Sequence, residues 1–238
     1  MKKLLIVNVG SAPESQLTQF GDFEQWAKQA IGETALNIAF HDGINKPLPQ
    51  PNTLAGVIIM GSLSMVTEEK DWMKRLANEV VQLAESNIPT LGICFGHQLI
   101  GYAFGGQVDY NPNGLEVGTI EICRLESSND DPLLASLPHQ FKAQVVHYQS
   151  VITLPSQAVR LAESNLDCHH AFRVGDCTWG VQFHPEFTPA IMQDVLEGFK
   201  ETLGATPMDD KKHHVAHTPD AQQILVNFAQ LCVERTSE

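Results

Sequence analysis

The pattern of apolar and polar positions changes character halfway along the chain. In the first half, short apolar runs alternate with longer segments in which apolar residues recur at helical spacing. The runs predict strands at residues 4–9, 35–40, 56–60 and 89–94, and the longer segments predict helices at 20–31, 71–86 and 96–104. Strands that alternate with helices are typical of βαβ units, which assemble into a parallel sheet.

The second half is richer in strand-like runs. They cover residues 118–125, 143–147, 159–163, 171–174 and 179–183, and short polar turns between them favour hairpins at one side of the sheet. Helices are predicted at 188–203, capped by Thr188 with Pro189 in the first turn, and at 221–234, with a polar loop at 204–219 between them. No internal repeat or linker divides the sequence, so we expect one α/β domain over residues 1–238.

Composition and charge narrow the classes of function. The net charge of −13 disfavours binding to nucleic acid or to an anionic membrane surface and favours a small-molecule substrate. No apolar run approaches the roughly 18 residues of a membrane-spanning helix, so no membrane insertion is expected.

Cysteine usage and the first residues point to one compartment. The five cysteines are odd in number and form no CxxC pair, so we expect neither a disulfide framework nor a metal site, and no cofactor. The apolar run at residues 4–9 is too short for a secretory signal, and the polar segment after it has no cleavage site. A cytoplasmic protein with free thiols is therefore expected.

A candidate nucleophile lies where a predicted strand meets a predicted helix. Gly92-Ile93-Cys94-Phe95-Gly96 fits the pattern glycine-x-nucleophile-x-glycine of a nucleophile elbow, with cysteine as the nucleophile. The glycines remove side chains that would collide in so tight a turn. The helix N-terminus beneath the sulfur favours the thiolate, and the Phe95 amide is placed to donate to an oxyanion. A lone cysteine at a strand end is more often simply buried, so the interpretation requires a base.

A candidate base ends another predicted strand. His184-Pro185-Glu186 follows the run at 179–183 and supplies an imidazole and a carboxylate that can meet across the turn at the proline. A thiol needs an imidazole to take its proton, and the imidazole needs an acceptor to fix its tautomer. Because Cys94 and His184 both follow predicted strands, we expect both at the carboxyl edge of the sheet, where ligands bind in open α/β folds.

These motifs resemble the class I glutamine amidotransferases. The resemblance rests on Gly-Ile-Cys-Phe-Gly-His-Gln at 92–98, Gly-Gly-Gln-Val at 105–108 and Gly-Val-Gln-Phe-His-Pro-Glu at 180–186, and it covers about residues 55–200. Segments 111–118, 147–150, 154–155 and 170–173 are most similar to stand-alone proteins resembling the amidotransferase domain of GMP synthase. The resemblance implies a flavodoxin-like three-layer sandwich with a mostly parallel central sheet and an antiparallel hairpin region at its side.

The resemblance also implies a catalytic triad. Cys94 would attack the side-chain amide of glutamine and form a γ-glutamyl thioester. His184 would protonate the departing ammonia and then activate water, while Glu186 holds His184. The catalytic core would occupy about residues 55–200, with the C-terminal helix at about 221–234.

The remaining site residues are likewise implied by the resemblance. The amides of Gly61 and Phe95 would form the oxyanion hole, although Met-Gly-Ser-Leu-Ser at 60–64 departs from the usual Gly-Gly-Pro-x-Ser of the family. Gln98 would contact the bound glutamine. The backbone near His147, Tyr148 and Gln149 would hold the α-amino and α-carboxylate end of the substrate.

Other histidines and cysteines are interpreted as structural or solvated. His97 follows the elbow and is a second candidate base, but the interpretation favoured here is a residue that faces away from the sulfur. The other histidines considered lack cysteine or carboxylate partners at metal-binding spacing: His169, His170, His213, His214 and His217. Cys123, Cys168, Cys177 and Cys232 have no flanking glycines like those of the elbow.

Three functions remain open on the sequence. The first is a glutaminase that releases ammonia for an acceptor. The sequence contains no GxxxxGK[ST] motif, so any synthetase would be a separate subunit. The second is a γ-glutamyl peptidase or hydrolase, which uses the same thioester but expels a larger amine. The third is a non-catalytic binding module of the same fold, which the intact set of cysteine, histidine and glutamate disfavours.

Overall fold

A nine-stranded sheet forms the centre of the structure. The computed structural model describes residues 2–203 and 215–237. The strands within these residues, including two outside the main sheet, are β1 (Lys3–Asn8), β2 (Asn37–Asp42), β3 (Leu54–Ile59), β4 (Thr90–Ile93), β5 (Gln107–Tyr110), β6 (Glu116–Arg124), β7 (Gln140–His147), β8 (Gln149–Thr153), β9 (Ala158–Glu163), β10 (Ala171–Val174) and β11 (Thr178–Val181). The order across the main sheet is β2-β1-β3-β4-β11-β10-β9-β6-β7.

Strand direction divides this sheet into two parts. From β2 to β11 all neighbours are parallel, whereas β10, β9, β6 and β7 continue the sheet with antiparallel pairings. The predicted parallel sheet with an antiparallel region at its side is therefore confirmed. β5 and β8 pair separately as a two-stranded antiparallel sheet, which the sequence pattern did not predict. β5 is mostly exposed, so it lacks the apolar run that marks a buried strand.

Helices cover both faces of the sheet. They are α1 (Glu14–Phe20), α2 (Phe23–Ile31), α3 (Asp71–Glu85), α4 (Phe95–Ala103), α5 (Pro189–Leu203) and α6 (Pro219–Ser237). Successive side chains of a strand point to opposite faces. Ile6 of β1 accordingly belongs to a buried cluster with Trp26 of α2 and Phe228 of α6, whereas Val7 belongs to one with Leu76 of α3. This arrangement confirms the three-layer sandwich.

The predicted helix at 20–31 is wrong at its beginning. Gly21 has φ of +85°, which ends α1 at Phe20, and Asp22 caps a new helix by accepting a hydrogen bond from the Phe23 amide at 2.9 Å. Apolar spacing continues across the break, which is why periodicity alone did not reveal it. The turn matters because α1 and the start of α2 border the candidate site.

The C-terminal helices begin as their local sequences require. Thr188 Oγ1 accepts a hydrogen bond from the Ile191 amide at 3.3 Å, and Pro189 is the first helical residue, so the predicted cap of α5 is confirmed.

Most of the predicted loop, residues 204–214 with His213 and His214 among them, lies outside the described residues. Within the described ranges, no helix has both the length and the apolarity needed to cross a membrane.

Candidate active site

Two neighbouring parallel strands deliver the predicted nucleophile and base to one edge of the sheet. β4 and β11 pair in register with Ile93 opposite Val181. Cys94 follows β4 directly, and its amide donates to the Val181 carbonyl at 2.9 Å. His184 comes three residues after the end of β11, and its amide donates to Gln144 of β7 at 2.8 Å. The predicted edge placement of both residues is confirmed.

The elbow at Cys94 is tight and strained. Cys94 has φ of 50° and ψ of −100°, a conformation that side chains disfavour. A Cβ atom at Gly92 would lie 2.3 Å from the Gly96 carbonyl carbon and oxygen, and one at Gly96 would lie 2.3 Å from the Ile59 carbonyl oxygen. Both positions therefore exclude any larger residue. The fold holds Cys94 against its local preference, as is common at functional sites.

The predicted partner residues of Cys94 form a buried pair. Glu186 Oε1 lies 2.8 Å from His184 Nδ1, and each residue is 3% exposed. The ring of Phe187 stacks on the imidazole with centroids 4.1 Å apart, which fixes the ring plane. Carboxylate and aromatic ring together hold His184 in one orientation.

Electrostatics keep His184 protonated. Burial acts to lower the pKa of His184, but its interactions with Glu186 and with Cys94 outweigh burial and raise the pKa to about 10. The imidazole is therefore cationic at neutral pH.

Replacing Glu186 with glutamine should flatten the pH dependence of folding stability above neutrality. Below the ordinary histidine pKa of 6.5, the charged ring stabilises the fold fully. That stabilisation is lost as pH rises towards the folded pKa of about 10, most steeply above the ordinary cysteine pKa of about 8.5, where the slope reaches up to about 1.4 kcal/mol per pH unit. Without the carboxylate the folded pKa falls, so the slope shrinks. Urea unfolding at several pH values across this window measures the slope.

The exposed Glu121 on β6 offers the matched control for this measurement. Glu121→Gln removes a carboxylate far from any buried partner, so its slope should equal that of the parent protein. An unchanged slope in Glu186→Gln would contradict the pairing of His184 with Glu186.

Gly61 packs against both predicted catalytic side chains. A Cβ atom at Gly61 would lie 3.0 Å from His184 Cε1 and 3.7 Å from Cys94 Cβ, so only the bare backbone fits. The following residue, Ser62, donates its hydroxyl to the Val9 carbonyl at 2.7 Å and ties the loop to the end of β1. The Gly61 backbone therefore borders the sulfur on one side, while Phe95 at the start of α4 borders it on the other.

The predicted substrate contacts lie on the opposite wall. Gln98, one turn after Cys94, donates its side-chain amide to the Gln149 carbonyl at 2.8 Å. The Gln149 side chain donates to Thr67 Oγ1 at 2.6 Å. Tyr148 is 38% exposed, whereas the His147 ring is buried and turned away into the protein. The wall therefore presents backbone and Tyr148 rather than the His147 imidazole.

A cavity of about 460 Å³ opens over Cys94. A volume of this size is typical of small-molecule sites. A larger hollow of about 640 Å³ lies beside β2, but neither cysteine nor carboxylate lines it. The residues around the Cys94 cavity are Pro13, Ser15, Gln16, Phe23, Ser62, Leu63, Ser64, Met65, Cys94, Phe95, Gln98, Val146, His147, Tyr148, Gln149, His184, Phe187, Asp194, Val195, Gly198 and Phe199.

His97 lies away from this cavity. Its ring packs on Phe172 at a centroid distance of 4.7 Å, and a Cβ atom at Gly180 would lie 2.7 Å from His97 Nδ1. Burial lowers the pKa of His97 to about 3, so the ring is neutral. It fills the interface between α4 and the sheet.

Sequence reasoning overlooked a set of buried polar residues behind the cavity wall. Glu116 on β6 contacts both His147 and His170, and each of the three is at most 4% exposed. Glu116 and His170 lie within segments that carried the family resemblance, but no pattern indicated that they meet. One signal was available: Glu116 occupies a strand position that faces the core, where a lone carboxylate is rare unless paired.

Comparison with known proteins gives relatives of two kinds. The family described as class I glutamine amidotransferase matches residues 20–200. Gamma-glutamyl peptidase 4 of Arabidopsis thaliana is 31% identical over 181 residues, 73% of this chain and 72% of that protein. A glutamine-hydrolyzing GMP synthase subunit of Pyrococcus abyssi is 34% identical over 63% of this chain and 63% of its own length, less than two thirds of that relative. A glutamine amidotransferase structure from Thermotoga maritima shares the fold, with a TM-score of 0.71 at 19% identity over 100% of this chain and 98% of that one.

Proposed function

Since the chain belongs to the class I glutamine amidotransferase family, we propose that it hydrolyses the side-chain amide of glutamine through a thioester on Cys94. The observation that carries this proposal is the meeting of a strained elbow cysteine with the His184–Glu186 pair at one cavity. A nucleophile, an oriented imidazole and a carboxylate behind it are the parts of a thiol hydrolase.

The first half of the reaction transfers the γ-glutamyl group to sulfur. The Cys94 thiolate attacks the amide carbon, and the negative charge moves to the carbonyl oxygen. The amides of Gly61 and Phe95 stabilise that oxyanion by donating to it. The His184 imidazolium gives its proton to the amide nitrogen, the C–N bond breaks, and ammonia leaves a thioester on Cys94.

The second half returns the site to its starting state. His184, now neutral, takes a proton from water as the water oxygen attacks the thioester carbonyl. The C–S bond breaks, glutamate leaves, and the thiolate beside imidazolium is restored. Throughout, Glu186 keeps Nδ1 protonated and leaves Nε2 to exchange the proton.

Gln98 and the backbone of residues 147–149 hold the glutamyl end of the substrate in this proposal. They line the cavity together with Cys94 and His184. We propose that the released ammonia serves a separate synthetase subunit, since the Pyrococcus abyssi relative is itself named as a subunit.

A larger leaving group is the second candidate, and the apolar part of the cavity lining favours it. Phe23, Phe187, Val195 and Phe199 are among the residues that line the cavity. Ammonia needs no such apolar space. A γ-glutamyl compound with a bulky amine would place that amine there, and the Arabidopsis relative is named as a γ-glutamyl peptidase.

Kinetics on two substrates distinguish these candidates. The purified chain alone is assayed for glutamate release from glutamine and from γ-glutamyl-p-nitroanilide, which carries a bulky aromatic amine. If the protein is a glutaminase, we expect slow release of glutamate from glutamine, because turnover without the partner subunit would waste substrate. Release of glutamate from the nitroanilide should then be slower still. Rapid turnover of the nitroanilide with little of glutamine would establish the second candidate instead.

A further inference from the structure

A buried hydrogen-bonded cluster lies behind the cavity wall. Glu116 Oε2 accepts hydrogen bonds from His147 Nε2 at 2.9 Å and from His170 Nε2 at 2.7 Å. Glu116 Oε1 accepts a third from the Ser164 hydroxyl at 2.7 Å. An isolated buried carboxylate is costly, so three donors around one carboxylate form a fully satisfied network.

The contacts of His147 hold its ring at both nitrogens. Its Nε2 lies 2.9 Å from Glu116 Oε2, and its Nδ1 lies 3.0 Å from the Gln149 carbonyl oxygen and 3.4 Å from the Ser150 hydroxyl. His170 contacts Glu116 through Nε2, and its Nδ1 has no partner within the described residues.

The charge on Glu116 is consistent with this arrangement. Burial acts to raise the pKa of Glu116, but the bonds from His147 and His170 hold it well below its usual range. The two histidines therefore hold the Glu116 carboxylate in its ionised form.

This cluster is connected to the cavity through one carbonyl group. The Gln149 carbonyl that accepts from His147 Nδ1 also accepts from Gln98 Nε2 at 2.8 Å, and Gln98 lines the cavity. On the other side of His147, the Val146 carbonyl oxygen lies 3.8 Å from Cys94 Sγ. Fixing the His147 ring therefore fixes the backbone on both sides of it, next to the sulfur and next to Gln98.

We propose that Glu116 and His147 are positioning residues that shape the wall at 146–149 to receive the γ-glutamyl group. This inference rests on the proposed function. Both N···O distances are those of ordinary hydrogen bonds and both oxygens of Glu116 are occupied, so the cluster is assigned to positioning rather than to metal binding.

Two electrophiles separate positioning of the substrate from reactivity of the sulfur. 6-Diazo-5-oxonorleucine has the shape of glutamine and uses the glutamyl wall, whereas iodoacetamide requires only the thiolate. In Glu116→Gln we expect labelling of Cys94 by the diazo compound to slow about 10- to 100-fold, as for loss of a charged buried hydrogen bond. Labelling of Cys94 by iodoacetamide should stay within about twofold. Mass mapping of the labelled peptide gives both rates.

Two further variants keep this test decisive. Glu121→Gln, on the exposed side of the same strand, should change neither rate. Ser164→Ala removes the hydrogen bond to Glu116 and the two that Ser164 Oγ accepts from the Leu166 and Asp167 amides, but it keeps the Glu116 carboxylate. It should slow only the diazo compound, and by less, and it serves if Glu116→Gln does not fold. Equal slowing by both reagents, no slowing by either, or a stoichiometric metal ion that Glu116→Gln loses would overturn the proposal. If Cys94 of the parent protein shows no preference for the diazo compound over iodoacetamide, that result would instead count against the proposed function.

Discussion

Cys94→Ala is expected to lower glutamate release by about 10⁴-fold or more while leaving the fold intact. The sulfur forms the covalent intermediate, and alanine offers no atom to take its place. Alanine is smaller than cysteine and the residue is 7% exposed, so the substitution adds no clash. Steady-state assays on glutamine and on γ-glutamyl-p-nitroanilide, with circular dichroism for the fold, measure both parts of the expectation.

Cys168→Ala is the matched control for this variant. Cys168 is exposed and does not line the cavity, so its loss should leave turnover unchanged. Full activity in Cys94→Ala would refute the thioester mechanism for both candidate substrates at once.

His184→Asn should cause a loss of similar size, about 10⁴-fold. Asparagine can still donate a side-chain N–H to Glu186, which avoids leaving a buried carboxylate without a partner. It has no group that can accept and return a proton near neutral pH. Turnover should therefore collapse although the fold is retained, and alkylation of Cys94 by iodoacetamide should slow because the imidazolium that favours the thiolate is absent.

His139→Asn provides the comparison, since His139 is exposed and remote from the cavity. Added imidazole should partly restore the activity of His184→Asn and have no effect on the His139 variant. Activity within tenfold of the parent protein in His184→Asn would remove His184 from its proposed role.

Local sequence was sufficient to place the candidate nucleophile and the candidate base at one edge of the sheet. The tight turn at Cys94 needs glycine at 92 and 96, and each glycine is required by a specific backbone contact within the structure. His184 and Glu186 are two residues apart, so their pairing depends on one turn. Residues that are close in sequence form motifs that can be recognised in the sequence, as the turn at Cys94 and the pair His184 and Glu186 do.

Contacts between distant segments left no such pattern. Glu116, His147 and His170 come from three separate strands or loops and meet only because β6 and β7 pair and residue 170 lies just before β10. The extra turn at Gly21 and Asp22 was hidden because apolar spacing continued across it. The short strands β5 and β8 were missed because polar residues occupy many of their positions. The buried cluster and the two short strands depend on tertiary pairing, which local periodicity does not indicate, whereas the turn depends on the local conformation of Gly21 and the cap at Asp22.

The strained backbone at residue 94 has a consequence for engineering this protein. At φ of 50° and ψ of −100°, glycine fits the chain with less strain than any residue that bears a Cβ. A sequence selected only for compatibility with this backbone would place glycine there and relieve on the order of 1–3 kcal/mol of backbone strain. It would also lose the sulfur. A stabilisation strategy that chooses residues by their fit to the backbone must therefore leave Cys94 unchanged. Glycine fits the backbone at position 94 best, whereas the proposed chemistry needs cysteine there.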